Sequence, residues 1–346
     1  MMTNPIKMKS LHVGKLLIKM LVRILIILLC TIVILVTVLT SIQYFSVKSE
    51  RAHYPAPGVM VNVNGKKMHI FTEGKGEITY VLLSGGGIGA PVLEYKPLWS
   101  RFAEHGRVAV VEYMGYGWSE EINTQRTSEN IVEEIKAALI EANINPPYVL
   151  VAHSIGGIYA MKYSQMYAED LKAIIALDTT LPRGIIQANE HGQTIQETLP
   201  PFDTISILRK AGVLRAFLWM NPLLVSGAPQ EVYTKEEAQM IAMVTNWNYA
   251  NKTMDNEFQT LERNMMDLTD AMFPKELPVL MIQANPPGEQ SEVYEWSLSE
   301  RKRLTQSLDC GKVLELPAGH SGIYWILSDS IVKETLSFLE QATQQK

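Results

Sequence analysis

The stretch YVLVAHSIGGIYA, residues 148–160, runs an apolar alternation into a serine between small residues and on into helical spacing. Ser154 sits there in A-H-S-I-G. The full pattern G-x-S-x-G uses small neighbours to allow a strained strand-to-helix turn that lifts a hydroxyl clear of a sheet. Ala152 stands where the first glycine would be, and its single methyl fits. A serine hydroxyl attacks a carbonyl carbon only when a base takes its proton. Seven histidines are available. His12 and His53 flank an apolar N-terminal run, His69 lies in an early hairpin, and His105 precedes a strand at the wrong sheet edge. His153 adjoins Ser154 with its ring directed away from the hydroxyl, and His191 falls in a helical middle section. His320, in PAGHSGIY, follows the last strand directly and is the expected base.

That base needs a carboxylate to fix its tautomer and stabilise the imidazolium. Asp178, in IIALDTTLP, ends the strand after the serine helix; Glu289, in IQANPPGEQ, follows the next strand by four residues. Both give the chain order serine, acid, histidine. Asp178 is favoured because its strand neighbours the serine strand if spatial order follows sequence, and Glu289 is the alternative. The oxyanion of an acyl-transfer intermediate needs preorganised donors. The N–H of Ile155 is one; the loop SGGGIGA, residues 84–90, supplies the other, with Gly86 chosen and Gly85 or Gly87 as alternatives. The glycine run lacks both the phosphate-loop and the dinucleotide spacing, and no H-E-x-x-H, C-x-x-C or acidic metal loop occurs, so no cofactor and no metal are expected.

These residues need a scaffold that brings strand ends to one edge. Residues 59–74 alternate about Asn64-Gly65, a hairpin signal. Short apolar runs at 79–87, 107–117, 148–153 and 171–178 are separated by helical spacing, as in 126–144. Near-continuous apolar strands alternating with helices mean a mostly parallel sheet covered on both faces. The alternation stops over 183–275, which reads as helical, rich in Met, Leu and Trp, with ISILRKAGVLRAFLWM and KEEAQMIAMVTNW as helix candidates. Strands resume at 277–285 and 312–320, and a last helix closes the chain. The expected layout is a core of 59–182 and 276–346, with 183–275 as a helical cap over the carboxyl edge of the strands, where open α/β sheets bind ligands.

Ahead of the core, residues 24–45 (ILIILLCTIVILVTVLTSIQYF) carry no charge. At about 1.5 Å per residue they span roughly 33 Å, enough for a bilayer core. The 1–23 tail holds Lys7, Lys9, Lys15, Lys19 and Arg23 with no acid, so a single-pass helix with a cytoplasmic N-terminus and an extracellular catalytic domain is expected, joined by a linker at 46–58. A cleaved signal peptide has a shorter apolar region and a small-x-small site, absent here. Removing those five cations from the formal net charge of −5 leaves −10, which argues against a nucleic-acid partner. Cys30 lies in the apolar run, leaving Cys310 without an internal disulfide partner, a pattern more natural for a bacterial exported domain than a secreted eukaryotic one.

In combination these stretches resemble the α/β-hydrolase superfamily. LLSGGG resembles its oxyanion loop, with Ser84 where many members have His; VEYMGYGWSE resembles the turn after its fourth strand; RTSENIVEEI…PPYVLVAHSIGG resembles the proline-iminopeptidase-like bacterial branch; and PAGH resembles its histidine loop. The likeness covers roughly 60–182 and 277–340. No Asp stands in the usual place after the seventh strand, which favours Asp178, since some branches carry the acid after the sixth. The resemblance implies an α/β-hydrolase fold with a helical cap and acyl transfer to water from a small-molecule substrate, with no obligate protein partner. An apolar, Met-rich cap suits carboxylic esters. An aminopeptidase would want cap acids for the substrate ammonium, for which Glu236, Glu237 and Asp255 are candidates. A catalytically silent surface-binding protein is the reading of a different class.

Overall fold

The computed structural model describes residues 5–190, 192, 200–288 and 291–344, with side chains from Lys15 onward. Helix α1 (Pro5–His53) precedes a hairpin of β1 (Val59–Val63) and β2 (Lys66–Glu73). Its turn residues Asn64 and Gly65 both have left-handed backbone, φ 53° and 79°, as a two-residue hairpin turn requires. Next come β3 (Thr79–Leu83), α2 (Pro91–Glu94), α3 (Lys96–Phe102), β4 (Arg107–Glu112), α4 (Ser128–Glu141), β5 (Tyr148–His153), α5 (Gly156–Met166) and β6 (Leu171–Leu177). The helices α6 (Gly184–Glu190), α7 (Phe202–Lys210), α8 (Val213–Met220), α9 (Lys235–Asn248) and α10 (Lys252–Met266) separate β6 from β7 (Val279–Ala284). The chain ends with α11 (Glu292–Thr305), β8 (Gly311–Leu316), α12 (Ile323–Ile326) and α13 (Ser328–Gln344).

The strands form one sheet in the order β1-β2-β4-β3-β5-β6-β7-β8. Pairing is antiparallel at β1/β2 and β2/β4 and parallel from β4 to β8. Successive strand residues point to opposite faces, and here both faces are dry. Val81, Leu83, Leu150, Ala152, Ile174 and Met281 join the cluster under α4 and α5. Tyr80, Leu82, Val149, Val151, Ile175 and Ile282 join the cluster under α3 and α13. Covering both faces is why these strands carry almost no polar residue.

Because β3, β5, β6, β7 and β8 are parallel, their C-terminal ends share one edge. Register places Leu83 beside Ala152, His153 beside Leu177, and Leu177 beside Ile282. The turns after β3, β5 and β6 are therefore adjacent, and the loop after β8 returns to the same edge.

Two elements differ from the sequence expectation. The segment expected as one helix through residue 220 is broken at Gly212, which adopts φ 77° and starts α8 on a new axis. A Cβ there would meet the Leu39 carbonyl oxygen at 2.6 Å, so the break also allows α8 to approach α1 closely. Helix α1 does not end at Phe45 but runs unbroken to His53, into the stretch 46–58 expected as linker. Its last turns dock on the helical insertion. Gln43 accepts from Arg215 Nε at 2.7 Å and from Asn246 Nδ2 at 3.0 Å. Glu50 takes a forked pair from Arg215 at 2.6 and 3.0 Å and the Trp247 indole N–H at 2.9 Å. Arg51 lies 4.9 Å over the Trp247 ring and donates to Asn248 at 2.7 Å. From Lys15 on, the helix is long and apolar enough to cross a membrane, with a mean hydropathy of 3.0 over its most apolar window and none of that window buried in the protein.

Candidate active site

Ser154 occupies the first position after β5 with φ 53°, a left-handed conformation that costs a side-chain-bearing residue strain. The tight return into α5 depends on its neighbours. A Cβ on Gly156 would meet the Leu83 carbonyl oxygen at 2.7 Å, and one on Gly157 would collide with Thr179. The Ser154 carbonyl accepts from Gly157 N at 3.0 Å and Thr180 N at 2.9 Å, which pins the turn. Ala152 is fully buried between β3 and β6, so its methyl is accommodated where the pattern has glycine.

Ser154 Oγ lies 3.0 Å from His320 Nε2, and His320 Nδ1 lies 2.6 Å from Asp178 Oδ2. Three segments far apart in sequence thus meet in one hydrogen-bonded line. Asp178, at φ 41° just past β6, accepts at its other oxygen from the Ala284 amide at 3.1 Å and from Arg301 at 3.2 Å. Burial opposes ionisation of Asp178, but the His320 hydrogen bond, the Arg301 charge and the Ala284 amide outweigh it and hold the carboxyl below the usual aspartate range. An ionised acid requires Nδ1 of His320 to carry hydrogen, which leaves Nε2 free to accept the serine proton. The alternative acid, Glu289, lies outside the described residues.

The glycine loop after β3 is held from both ends. Gly85 N–H donates to the Tyr95 hydroxyl at 3.0 Å, and Gly87 N–H donates to the Tyr116 hydroxyl at 3.0 Å. Tyr116 in turn donates to the buried Glu257 carboxylate at 2.8 Å, which also takes the Tyr159 hydroxyl at 2.5 Å. Two of the three candidate loop amides are therefore committed elsewhere. Among the described residues, Gly86 N–H and Ile155 N–H have no protein acceptor. A side chain at Gly86 would run into Ile155 Cδ1 at 2.6 Å and Phe258 Cζ at 2.7 Å, so loop and elbow are in contact. Ile155 also heads α5, whose positive dipole end adds to the field there.

His153 has its own circuit. His153 Nε2 donates to the His320 carbonyl at 3.1 Å, so in the neutral ring Nδ1 accepts from the Tyr95 hydroxyl at 2.8 Å. Burial and the neighbouring His320 lower the His153 pKa to about 3, so it is neutral at physiological pH. Glycine loop, elbow and histidine loop are thus tied through one neutral imidazole.

A cavity of about 190 Å³ opens on Ser154 and His320, walled by Phe202, Val225, Tyr249, Phe258 and Tyr324. Glu94 lines it too. Burial first, then the charge of Glu112, raises its carboxyl to about 7, against one opposing hydrogen bond from Ala90 N–H. The three acids expected to hold an ammonium are not among the cavity's lining residues. Glu237 closes the capping box of α9 and pairs with Lys96, Asp255 pairs with Lys252, and Glu236 is exposed in the first turn of α9.

Tyr95, Tyr116, Glu257, Glu94 and Arg301 were not singled out by sequence. Arg301 sits in SERKRL, which reads as a solvated helix face, yet its side chain is 3% exposed. The only cue for Tyr95 and Glu94 was their place shortly after the glycine loop.

A doubly covered, mostly parallel sheet with a serine-bearing turn at its carboxyl edge defines a hydrolase-type α/β protein. The chain belongs to the alpha/beta hydrolase fold family, whose family model matches residues 80–314. It is similar to YbdG of Bacillus subtilis, 31% identical over 301 residues, covering 86% of this chain and 90% of that one. It is also similar to the pimeloyl-[acyl-carrier protein] methyl ester esterase of Xanthomonas axonopodis, 35% identical over 174 residues, 49% of this chain and 63% of that one. Among solved structures, the epoxide hydrolase VrEH1 from Vigna radiata superposes with a TM-score of 0.60 at 20% identity, over 81% of this chain and 97% of that one. That likeness concerns the fold. The proline-iminopeptidase-like branch is not singled out by these relatives.

Proposed function

We propose that this chain is a membrane-anchored serine hydrolase that cleaves carboxylic esters through an acyl-enzyme. The observation that carries the reading is the unbroken line Ser154–His320–Asp178, at 3.0 and 2.6 Å, beside two amides with no acceptor among the described residues. Ser154 Oγ bonds to the acyl carbon as its proton passes to His320 Nε2. The carbonyl electron pair moves onto oxygen, which the N–H groups of Ile155 and Gly86 hold. Collapse breaks the bond to the alcohol oxygen, which takes the proton from Nε2. Water, losing a proton to the same nitrogen, then attacks the acyl carbon; collapse breaks the bond to Ser154 Oγ, which takes the proton back from Nε2, and the carboxylic acid departs. The relative that acts on a methyl ester supports esters as the substrate class.

Helix α1 is the anchor in this reading. Its charge-free run and five preceding cations support a cytoplasmic N-terminus and an outer catalytic domain. A second reading, release of an N-terminal residue, is favoured by one observation: the Glu94 carboxyl lines the cavity and suits a substrate ammonium. A panel of p-nitrophenyl esters and aminoacyl amides, run on the full chain in detergent, separates them. Ester turnover at least 100-fold above amide turnover is expected. The reverse preference would overturn the ester assignment, and turnover of neither by folded protein would favour a silent binding module.

A further inference from the structure

The outer surface of the helical insertion carries more exposed apolar side chain than a soluble face needs. Trp219 is 85% exposed, Ile207 67% and Met220 66%, and Leu208, Phe217 and Leu224 are exposed beside them in sequence. These residues belong to α7, α8 and the turn that follows. Inward-facing Leu214 and Leu218 of α8 are buried, so the helix is apolar on both sides. A helix apolar all round is normally buried, and soluble monomers seldom expose apolar patches beyond a few hundred Å².

The position of this surface along α1 is fixed. The start of α8 packs on the Leu39 backbone, and Leu39 lies six residues inside the charge-free run that ends at Phe45. At 1.5 Å per residue the contact is about 9 Å below the end of that run. The polar clamp at Gln43, Glu50 and Arg51 fixes the insertion at this level. Between α1 and α8 runs an open groove of about 470 Å³, lined by Leu39, Ile42, Leu218 and Trp219 and also by the paired Glu50 and Arg215. It opens beside the exposed apolar residues Val38 and Ile42 of α1. The two ends of the same segment reach the other way, because Phe202 and Val225 wall the cavity over Ser154.

We infer that the outer face of α7 and α8 is a membrane-docking surface that sits in the outer-leaflet interface of the bilayer α1 crosses, and that the cavity behind it takes membrane-borne acyl esters. The inference rests on the reading of α1 as a membrane span. The occupant is lipid because whatever solvates α1 at Leu39 and Ile42 also meets Trp219 across the shared groove. Tryptophan suits this depth, with an apolar ring and one polar N–H. The exposed Ile207, Phe217, Trp219 and Met220 make the docking mainly apolar, and the net charge of −10 beyond the N-terminal cations gives the outer part as a whole no general attraction to anionic headgroups.

The test uses the full chain in phosphatidylcholine vesicles. Subtracting the emission of the Trp219→Phe variant from wild type isolates the Trp219 signal. Carbonate washing reports separately whether α1 is inserted. The expected result is protein that resists carbonate, with Trp219 quenched at least twofold by acyl-brominated lipid and not by aqueous iodide. In the same vesicles, the double variant Phe217→Ser/Trp219→Ser should lose at least 10-fold in kcat/KM on a long-chain ester carried in the bilayer. It should stay within twofold of wild type on a soluble acetate ester. Carbonate-resistant protein whose Trp219 is quenched by iodide but not by brominated lipid would overturn the docking surface while leaving the anchor standing. Trp219 shielded from both quenchers, with the chain crosslinking into dimers in the same vesicles, would overturn it in favour of self-association. Release by carbonate would overturn the anchor and the docking surface together.

Discussion

The Tyr95 hydroxyl joins two loops of the site, and removing it has a cost that can be worked from its contacts. Tyr95→Phe deletes one oxygen. The ring is expected to stay, because it is buried and stacks on Tyr324 with centroids 4.2 Å apart. Two groups lose their partner: Gly85 N–H, which donates at 3.0 Å, and His153 Nδ1, which accepts at 2.8 Å. A buried polar group left unpaired costs about 1–3 kcal/mol, so the variant should lose about 2–6 kcal/mol of stability. Freed at Gly85, the loop no longer fixes the adjacent Gly86 amide. A misplacement near 1 Å costs about 100-fold, so kcat should fall about 10- to 100-fold with KM nearly unchanged. Tyr80→Phe is the control. The Tyr80 hydroxyl is buried and has no hydrogen-bond partner among the described residues, so its removal should leave stability unchanged or raise it, with no effect on kcat. Urea unfolding of the full chain in detergent, with ester kinetics on the same samples, reads both. Equal stability losses for the two variants, or a Tyr95→Phe enzyme with wild-type kcat, would refute the reasoning.

Asp178→Asn keeps the shape but loses the charge that holds the His320 tautomer, so kcat should drop about 10⁴-fold in a folded protein, while Glu289→Gln stays within twofold in the same ester assay. Burial raises the Glu94 carboxyl to about 7 in the folded chain, from an ordinary value of 4.5. As pH rises past 4.5 the unfolded chain releases this proton first, so its contribution to stability declines until about pH 7 and then levels off, a loss of about 3 kcal/mol. Glu94→Gln should lack that slope, so its unfolding free energy relative to wild type should climb from pH 4 to pH 8; parallel curves in urea titrations at several pH values would contradict it.

The sheet was legible because doubly buried strands leave long apolar runs and because Asn64-Gly65, Ser154-Ile155-Gly156 and the glycines at 85–87 are turn chemistry with few alternatives. That Ser154, Asp178 and His320 could meet was legible for a related reason: each stands directly after a strand or its short loop, and parallel strands bring such positions to one edge. Helix α1 outruns the charge-free stretch because charged residues do not end a helix; Lys48, Glu50 and Arg51 continue one that tertiary contacts then hold. The break at Gly212 was missed because apolar spacing persists across it. Tyr95, Tyr116, Glu257 and Arg301 were out of reach of pattern. They are buried polar groups whose partners lie on other elements, and nothing periodic announces a hydrogen bond across the fold.

The central claim is that the Ser154 hydroxyl is made nucleophilic by His320. Treating the folded full chain with a fluorophosphonate and mapping the adduct by peptide mass tests it most directly. The account predicts a single adduct on Ser154, formed rapidly in wild type, at least 1,000-fold more slowly in His320→Ala and not at all in Ser154→Ala. An adduct on a different residue, or labelling of Ser154 at the same rate without His320, would contradict it.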